Sequence, residues 1–488
     1  MTLNEAENMI RKGLAGLRED SRQVKPGDVF VAVRGSSCDG HDHALEAVEK
    51  GALVVICEDI DFPGSEAVSE KLVRVTDTRS ALGILASARY NDPAKQLPLY
   101  GVTGTNGKST TVFIIESVFE HLGVPCGMTG TVFNKLRGNS LEKASITTPG
   151  AIELNRMLRE MVDSGKKAGV MEISSHALTQ KRIHGIKLDG AVFTNITPEH
   201  LDYHGDMVSY FNAKRGIFKY LRPGGIAVLN ADDERVMALM RELPEADKAT
   251  FGISPGSTVS CADIRTHPDF LEFDILFNGA KAGRVRTVFA GKHNVSNMMA
   301  AAALFFRKGF SPEDIIEGLE KVKTVPGRLE KVSRDAPFSV FVDYAHTPDA
   351  LKNSLECLRA MTRGKLFCVF GCGGDRDTGK RPEMGKVASQ ISDAVILTDD
   401  NPRTEDPDSI ISDILRGIPP GTDCSIMRDR LGAIAGALDR AMAGDTVLIA
   451  GKGHEDYQIF FDKIIHFSDR EAVAGLLDGK KAGALPDA

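Results

Sequence analysis

Leu99-Tyr100-Gly101-Val102-Thr103-Gly104-Thr105-Asn106-Gly107-Lys108-Ser109-Thr110 is the stretch from which the rest of the chain can be read. Its first five residues have strand composition, the next five form a glycine-rich loop, and an apolar period predicts a helix from Val112 to Leu122. Strand, glycine loop and helix together form a phosphate cradle. Glycines let backbone N–H groups approach phosphate oxygens, the helix start adds a positive dipole, Lys108 reaches the outer phosphates and Ser109 suits Mg²⁺. The strict G-x-x-x-x-G-K-[ST] spacing is missed by one position, because Val102 stands where the first glycine belongs. The bland alternative is a glycine turn with an incidental lysine. The flanking strand and helix favour ATP, bound by Gly104, Thr105, Asn106, Gly107, Lys108, Ser109 and Thr110.

Outward from the loop, short β-branched runs alternate with helical stretches. Gly169 to Ile173, Ala191 to Asn195 and Ile226 to Leu229 read as further strands, which predicts an α/β unit with a mostly parallel sheet and helices on both faces. The alternation restarts after Val325-Pro326-Gly327-Arg328 with Ser339 to Val342, Leu366 to Phe370, Ala394 to Leu397 and Thr446 to Ala450, a second doubly wound unit. Before the loop, the turn Pro26-Gly27-Asp28, the run Val29 to Val33, a helical pattern from Asp42 to Lys50 and the run Ala52 to Cys57 read as a small α/β module. Asn91 to Pro98 has linker composition. The expected domains are therefore 1–95, 96–326 and 327–488, with 476–488 a loosely held tail.

The chain has 488 residues, room for about three domains at ~150 residues each. Its 60 basic and 67 acidic residues leave a formal charge of −7, without the basic footprint of a nucleic-acid binder. The longest apolar run, Met298 to Phe306, is far short of the ~20 residues of a membrane span. No basic start and apolar stretch opens the chain, so a cytoplasmic protein is expected. Eight scattered cysteines without C-x-x-C pairs argue against a disulfide framework and a zinc site.

Ligands of open α/β sheets gather at the carboxyl ends of the strands. Two polar clusters fall there: Glu172 followed by Ser174, Ser175 and His176, and the segment Pro198-Glu199-His200-Leu201-Asp202-Tyr203-His204-Gly205. A carboxylate and a histidine there suit Mg²⁺, whereas an isolated histidine would more often be a satisfied surface residue.

The loop, Glu172-Ile173-Ser174-Ser175-His176, Asn195-Ile196-Thr197-Pro198-Glu199-His200-Leu201-Asp202 and Asp343-Tyr344-Ala345-His346-Thr347-Pro348 together resemble the Mur ligases, three-domain amide ligases of bacterial peptidoglycan synthesis. The resemblance spans nearly the whole chain. It implies a small uridine-nucleotide-binding first domain, a central P-loop-type ATP-binding domain and a C-terminal Rossmann-like amino-acid-binding domain. Asp20-Ser21-Arg22 with Pro26-Gly27-Asp28 and Asp39-Gly40-His41 is similar to the first of these, and makes Ser21 a uridine contact.

Within the family the motifs look most like the members that add the third amino acid of the stem peptide, a monomeric ligase acting on UDP-N-acetylmuramoyl-L-alanyl-D-glutamate. The resemblance makes Thr147, Thr148, Ser174, Gln180 and Arg182 contacts to that substrate. Ile146 departs from the family, which often has Asn there. Asp400-Asn401-Pro402-Arg403 is the pattern of members taking meso-diaminopimelate, whose extra carboxylate a guanidinium can grip in a bidentate pair. Arg376, Gly451 and Glu455 complete the implied pocket. Asn294, Arg328 and Asp343 are implied for the nucleotide, and residues split across domains imply closure. Catalysis is assigned to Lys108, Glu172, His200 and Lys214, and two Mg²⁺ ions to Ser109, Glu172 and His200 with a carbamylated Lys214. By default Lys214 would be a helix-surface lysine and Arg403 a solvated loop arginine. Two rivals remain at this point: a folylpolyglutamate synthetase, which shares the loop but needs no first domain, and a phosphate-loop switch or motor ATPase, which needs no acyl acceptor.

Overall fold

The computed structural model describes residues 1–483 save 36–37, 61, 63, 244–245, 268–269 and 334–335. Three sheets follow one another along the chain. The first has four parallel strands, Leu17–Arg18, Val29–Val31, Val54–Cys57 and Leu72–Arg74, in chain order. The Thr78–Arg89 helix packs on it through Ala81, Leu82, Leu85 and Ala86, and Asp77 caps that helix by accepting from the Ser80 N–H.

The Leu99–Thr103 strand, five residues all buried, lies within a nine-stranded sheet. Ala168–Glu172 and then Cys126–Thr129 lie on one side of it. On the other side come Leu188–Phe193, Leu221–Asn230 and Asp247–Phe251, all parallel. An antiparallel meander, Val259–Thr266, Leu271–Phe277 and Ala280–Thr287, extends that side. The chain thus reverses its direction of travel across the sheet at Leu99–Thr103, and at this switch point a crevice opens beyond the strand ends. The Lys108–His121 helix buries Val112, Ile114, Ile115, Val118 and Phe119 against one face. The run read from sequence as too short for a membrane is the middle of the Lys292–Arg307 helix, buried on the same face. Among the described residues no helix is long and apolar enough to cross a membrane.

The third sheet has the order Glu330–Lys331, Ser339–Asp343, Thr446–Ala450, Leu366–Phe370, Ala394–Leu397, Cys424–Ile426, parallel except for the first strand. Four strands of this unit have the bounds expected from sequence to within one residue, because each is a β-branched or aromatic run buried on both faces.

Two segments differ from expectation. Asn91 to Pro98 contains a turn at Pro93–Lys95 in which Ala94 is buried in the central core, as is Leu97 just after it, so this stretch is packed. The presumed tail begins inside a helix, Asp469–Gly483, held by Leu476 and Leu477 against the third sheet. Residues 484–488 lie outside the described residues.

Candidate active site

The phosphate loop is held open by its glycines. Gly104 has φ +145° and Gly107 φ +84°, and a Cβ on either would run into Thr194 Oγ1 or Asn297 Oδ1. Thr105 N donates to Asn195 O at 2.9 Å and Asn106 N to Asn195 Oδ1 at 2.9 Å, which fixes the loop to the end of the neighbouring strand. Gly107 precedes the Lys108–His121 helix, so the first free N–H groups of that helix face the loop.

Positive charge is concentrated here beyond what the protein itself neutralises. Lys108 Nζ donates to Gly104 O at 3.0 Å and to Thr105 O at 2.7 Å, and Lys214 Nζ donates to the same Gly104 O at 2.6 Å. Lys214 is 1% exposed, so its reading as a helix-surface lysine is overturned: the Met207–Arg215 helix turns it into the crevice. Burial, with Lys108 beside it, pushes its ammonium well below the usual lysine range. Glu199 is the carboxylate among these cations. Burial alone would raise it, but Lys108, His200, Lys214 and His346 hold it down at about 2, and Tyr210 Oη donates to it at 3.0 Å. His200 has φ +56° at the start of the Leu201–His204 turn, 4.7 Å ring to ring from His176. Burial lowers both histidines, His176 to about 4.

Glu172 ends its strand fully buried, and its two oxygens accept from Thr131 N at 2.8 Å and Thr131 Oγ1 at 2.9 Å. Behind it the five residues implied for the peptide substrate form one connected set. Thr131 Oγ1, its proton on Glu172, accepts from Thr147 Oγ1, while Thr148 Oγ1 donates to Glu172 O and Ser174 N to Thr148 Oγ1. Arg182 donates to Thr148 O at 2.6 Å and, through Nε and Nη2, to Gln180 Oε1. Ile146 is 47% exposed and belongs to no buried cluster. Ser21 stands apart in the first sheet's module, donating to Glu46 Oε2 at 3.0 Å.

Asn294, Arg328 and Asp343 line one cavity of about 130 Å³ with Asn106, Gly107 and Ser109. Two hydrogen bonds already join the loop to the third sheet's unit: Arg328 Nη2 donates to Ser109 Oγ at 3.0 Å, and Asn106 Nδ2 to Asp349 Oδ2 at 2.8 Å. Asp343 is buried, which raises its carboxyl, and it accepts from Leu329 N, Ala345 N and Ser354 Oγ.

A second pocket lies at the carboxyl edge of the third sheet. Gly451, at φ +111°, would place a Cβ 3.0 Å from Asp400 Oδ2, and a Cβ on Gly373 would come 2.8 Å from Arg403 Nη1. Asn401 Nδ2 donates to Glu455 Oε2 at 3.0 Å. Lys452, fully buried, sits 3.3 to 3.5 Å from Asp400 Oδ1, Asn401 Oδ1 and Glu455 Oε2. Burial, with Asp400 nearby, raises the Glu455 carboxyl. Arg403 follows Pro402 at φ +56° and donates to Gly374 O at 2.8 Å and Asn401 O at 3.5 Å. Among the described residues it has no carboxylate within ion-pair distance, and Arg376 likewise donates only to Asp375 O. Two guanidiniums with no ion-pair partner among the described residues, only Asp375 within Coulombic reach, therefore border a group of two carboxylates and one ammonium.

Family models match three successive parts of the chain: Mur ligase family, catalytic domain over residues 14–90, Mur ligase middle domain over 102–305, and Mur ligase, glutamate ligase domain over 327–453. A relative from Gloeobacter violaceus, named UDP-N-acetylmuramoyl-L-alanyl-D-glutamate--2,6-diaminopimelate ligase, is 43% identical over 479 residues, 98% of this chain and 96% of its own length. The chain belongs to the Mur ligase family. A relative of the same name from Geobacillus thermodenitrificans is 43% identical over 465 residues, 94% of this chain and 93% of its own. A solved structure, again of a ligase so named, superposes with a TM-score of 0.67 at 31% identity, covering 96% of this chain and 95% of that one. As a Mur ligase the protein is an ATP-dependent, ADP-forming enzyme that makes amide bonds in peptidoglycan precursor synthesis.

Several residues of this Mur ligase site had no role assigned from sequence. Glu199 sits beside His200 in a quoted motif, but only the fold puts Lys108 and Lys214 against it. Thr131, which carries Glu172, and Asp349, which meets Asn106, lie in segments with no charge pattern to single them out, and Lys452 stands between the pocket residues Gly451 and Glu455 without a role of its own. Among the described residues no three His, Cys, Asp or Glu side chains converge as a ready-made metal cage.

Proposed function

We propose that this Mur ligase joins meso-diaminopimelate to the γ-carboxylate of the D-glutamyl residue in UDP-N-acetylmuramoyl-L-alanyl-D-glutamate, in the cytoplasm. The observation that carries the reading is Arg403: a guanidinium held in a left-handed turn by carbonyls alone, beside Asn401 and Glu455, fits the second carboxylate of diaminopimelate, which lysine lacks. Asp400 and Glu455 suit ammonium, Arg376 the other carboxylate, and Gly451 and Pro402 shape the pocket. The relatives' names agree with this acceptor.

A carboxylate oxygen must become a leaving group before an amine can displace it. In this reading the glutamyl γ-carboxylate attacks the γ-phosphorus of ATP, ADP departs, and the diaminopimelate amine displaces phosphate from the acyl phosphate. Two anions meet in the first step, so positioning and cationic charge are the means of catalysis. Lys108, in its loop of Gly104, Thr105, Asn106, Gly107, Ser109 and Thr110, supplies that charge to the outer phosphates. Thr147, Thr148, Ser174, Gln180 and Arg182 position the dipeptide, Ser21 in domain 1–95 holds the uridine nucleotide, and Asn294, Arg328 and Asp343 hold ATP between domains 96–326 and 327–488.

Ser109 and Glu172 would hold one Mg²⁺ and His200 a second, oxygen donors being what that ion prefers. Such ions neutralise charge on the phosphoryl oxygens. Lys214 fits carbamylation: its buried amine is driven toward the neutral, nucleophilic form, and a carbamate there would set an anion beside Lys108.

The test is phosphate release from ATP with the nucleotide dipeptide and meso-diaminopimelate, L-lysine or no amino acid. Release only with diaminopimelate, and a tripeptide of the right mass, is the expected result. Release with lysine instead would discard the role of Arg403, and release without any amino acid would return the protein to the ATPases.

A further inference from the structure

A second chemically competent cluster lies far along the chain from the phosphate loop, in the first sheet's module. Cys38 Sγ is 3.2 Å from His43 Nε2, and His43 Nδ1 is 3.1 Å from Glu46 Oε2. Lys50, Ser21 and His43 hold the Glu46 carboxyl down at about 2, so it is an anion at every physiological pH. A carboxylate on Nδ1 fixes the imidazole tautomer that leaves Nε2 to accept the thiol proton, and Arg22 adds positive charge within Coulombic reach of Cys38. Thiol, imidazole and carboxylate stand in this order, a nucleophile beside a base and the base beside the group that orients it.

Exposure and selectivity point the same way. Cys38 is exposed, while Cys57, Cys126, Cys261, Cys368 and Cys372 are buried and Cys357 and Cys424 are half-buried. Burial raises the thiols of all seven, Cys57 and Cys261 to about 11 and Cys357 and Cys372 to about 12, which keeps them protonated and inert.

We propose that Cys38 is a modification site, oxidised by hydroperoxides through the His43–Glu46 relay. The thiolate sulfur attacks one oxygen of the peroxide, the O–O bond breaks, the sulfur is oxidised to a sulfenic acid, and the departing hydroxide takes the proton held on His43 and leaves as water. No second cysteine is exposed to resolve the product, so the sulfenic acid persists until a small thiol removes it. Glu46 Oε2 receives both His43 and Ser21. An oxygen added to Cys38 displaces the ring from that carboxylate and loosens Ser21, so oxidation weakens the uridine-nucleotide substrate; this coupling rests on the proposed role of Ser21.

The experiment treats the full chain with hydrogen peroxide and a dimedone-type sulfenic trap, then maps adducts by peptide mass. The expected adduct is on Cys38, at least about tenfold faster than on any other cysteine, absent in Cys38→Ser and slowed about tenfold in His43→Gln. Labelling spread over several cysteines, or undiminished in a folded His43→Gln, overturns the relay. Should that variant not fold, the pH profile of Cys38 alkylation in the wild type decides instead, since a rate that rises only at the pH of a free thiol overturns it too. In parallel, oxidation is expected to raise KM for the nucleotide dipeptide severalfold while KM for ATP holds, with Cys38→Ser unaffected. Selective labelling with an unchanged KM overturns the coupling alone, and the ligase reading stands or falls separately on phosphate release.

Discussion

The crevice of the central sheet and the pocket of the third sheet are built alike and charged differently. Each lies beyond the carboxyl ends of parallel strands, and each is shaped by left-handed glycines, Gly104 and Gly107 in one and Gly451 in the other. In the crevice two lysines share one carbonyl oxygen, and Lys108, Lys214, His200 and His346 all lie around the single carboxylate of Glu199. In the pocket Asp400 and Glu455 face Lys452, with Arg403 and Arg376 at the border and, among the described residues, outside ion-pair distance of any carboxylate. Surplus positive charge prepares the first site for a polyanion, and near balance with separated signs prepares the second for a zwitterion. The fold supplies the geometry of a site, and its charge list supplies the ligand.

The comparison breaks most sharply at Lys108. Lys108→Ala is expected to lower kcat by at least about a thousandfold in the phosphate-release assay, since it removes the charge aimed at the transferred phosphoryl group. Lys214→Ala comes next, with a loss of about a hundredfold or more that short carboxylic acids partly restore. If those acids do nothing, the carbamate reading loses its support.

At the zwitterion pocket the effects fall on binding. Arg403→Ala is expected to raise KM for diaminopimelate by about 10- to 100-fold, the range of one charged hydrogen-bonded pair, with KM for ATP unchanged. An equal change in both constants would mean that the two sites are not separable. Behind that pocket Arg430 and Asp469 form a fully buried pair at 2.7 Å, and Arg430 also donates to Ala450 O, next to Gly451. Asp469→Asn is expected to destabilise the protein by about 3 kcal/mol in denaturant unfolding, because it strands a buried charge.

The smallest effect concerns pH. His176 and His293 are pushed down to about 4 by burial, below the value of about 6.5 they take in the unfolded chain. Between those values the unfolded chain binds more protons, so stability is complete above pH 6.5 and falls as pH drops toward 4. A melting temperature lower at pH 5 than at pH 7, by an amount equivalent to the order of 1 kcal/mol, is expected. A flat profile would mean that these rings stay solvated.

The sequence by itself determined the strands and the loop. Leu99–Thr103, Leu366–Phe370, Ala394–Leu397 and Thr446–Ala450 could be read residue by residue because continuous β-branched and aromatic runs are what a strand buried on both faces requires, and glycines beside Lys108 announce a phosphate loop locally. Glu172 was legible for the same reason, as the last residue of a recognisable strand, whereas His200 and Arg403 stand six or more residues past their strands and were singled out by the family resemblance. Tertiary structure alone decided what those residues face. Lys214 reads as a surface position along its helix and is buried only because the helix turns it onto Gly104, 110 residues away. Asp469 opens what reads as the approach to a polar tail, yet it neutralises Arg430, 39 residues back, and so ties the last helix to the end of the Thr446–Ala450 strand. Local composition fixes a backbone's period, whereas burial and charge pairing depend on which distant segments the topology brings together.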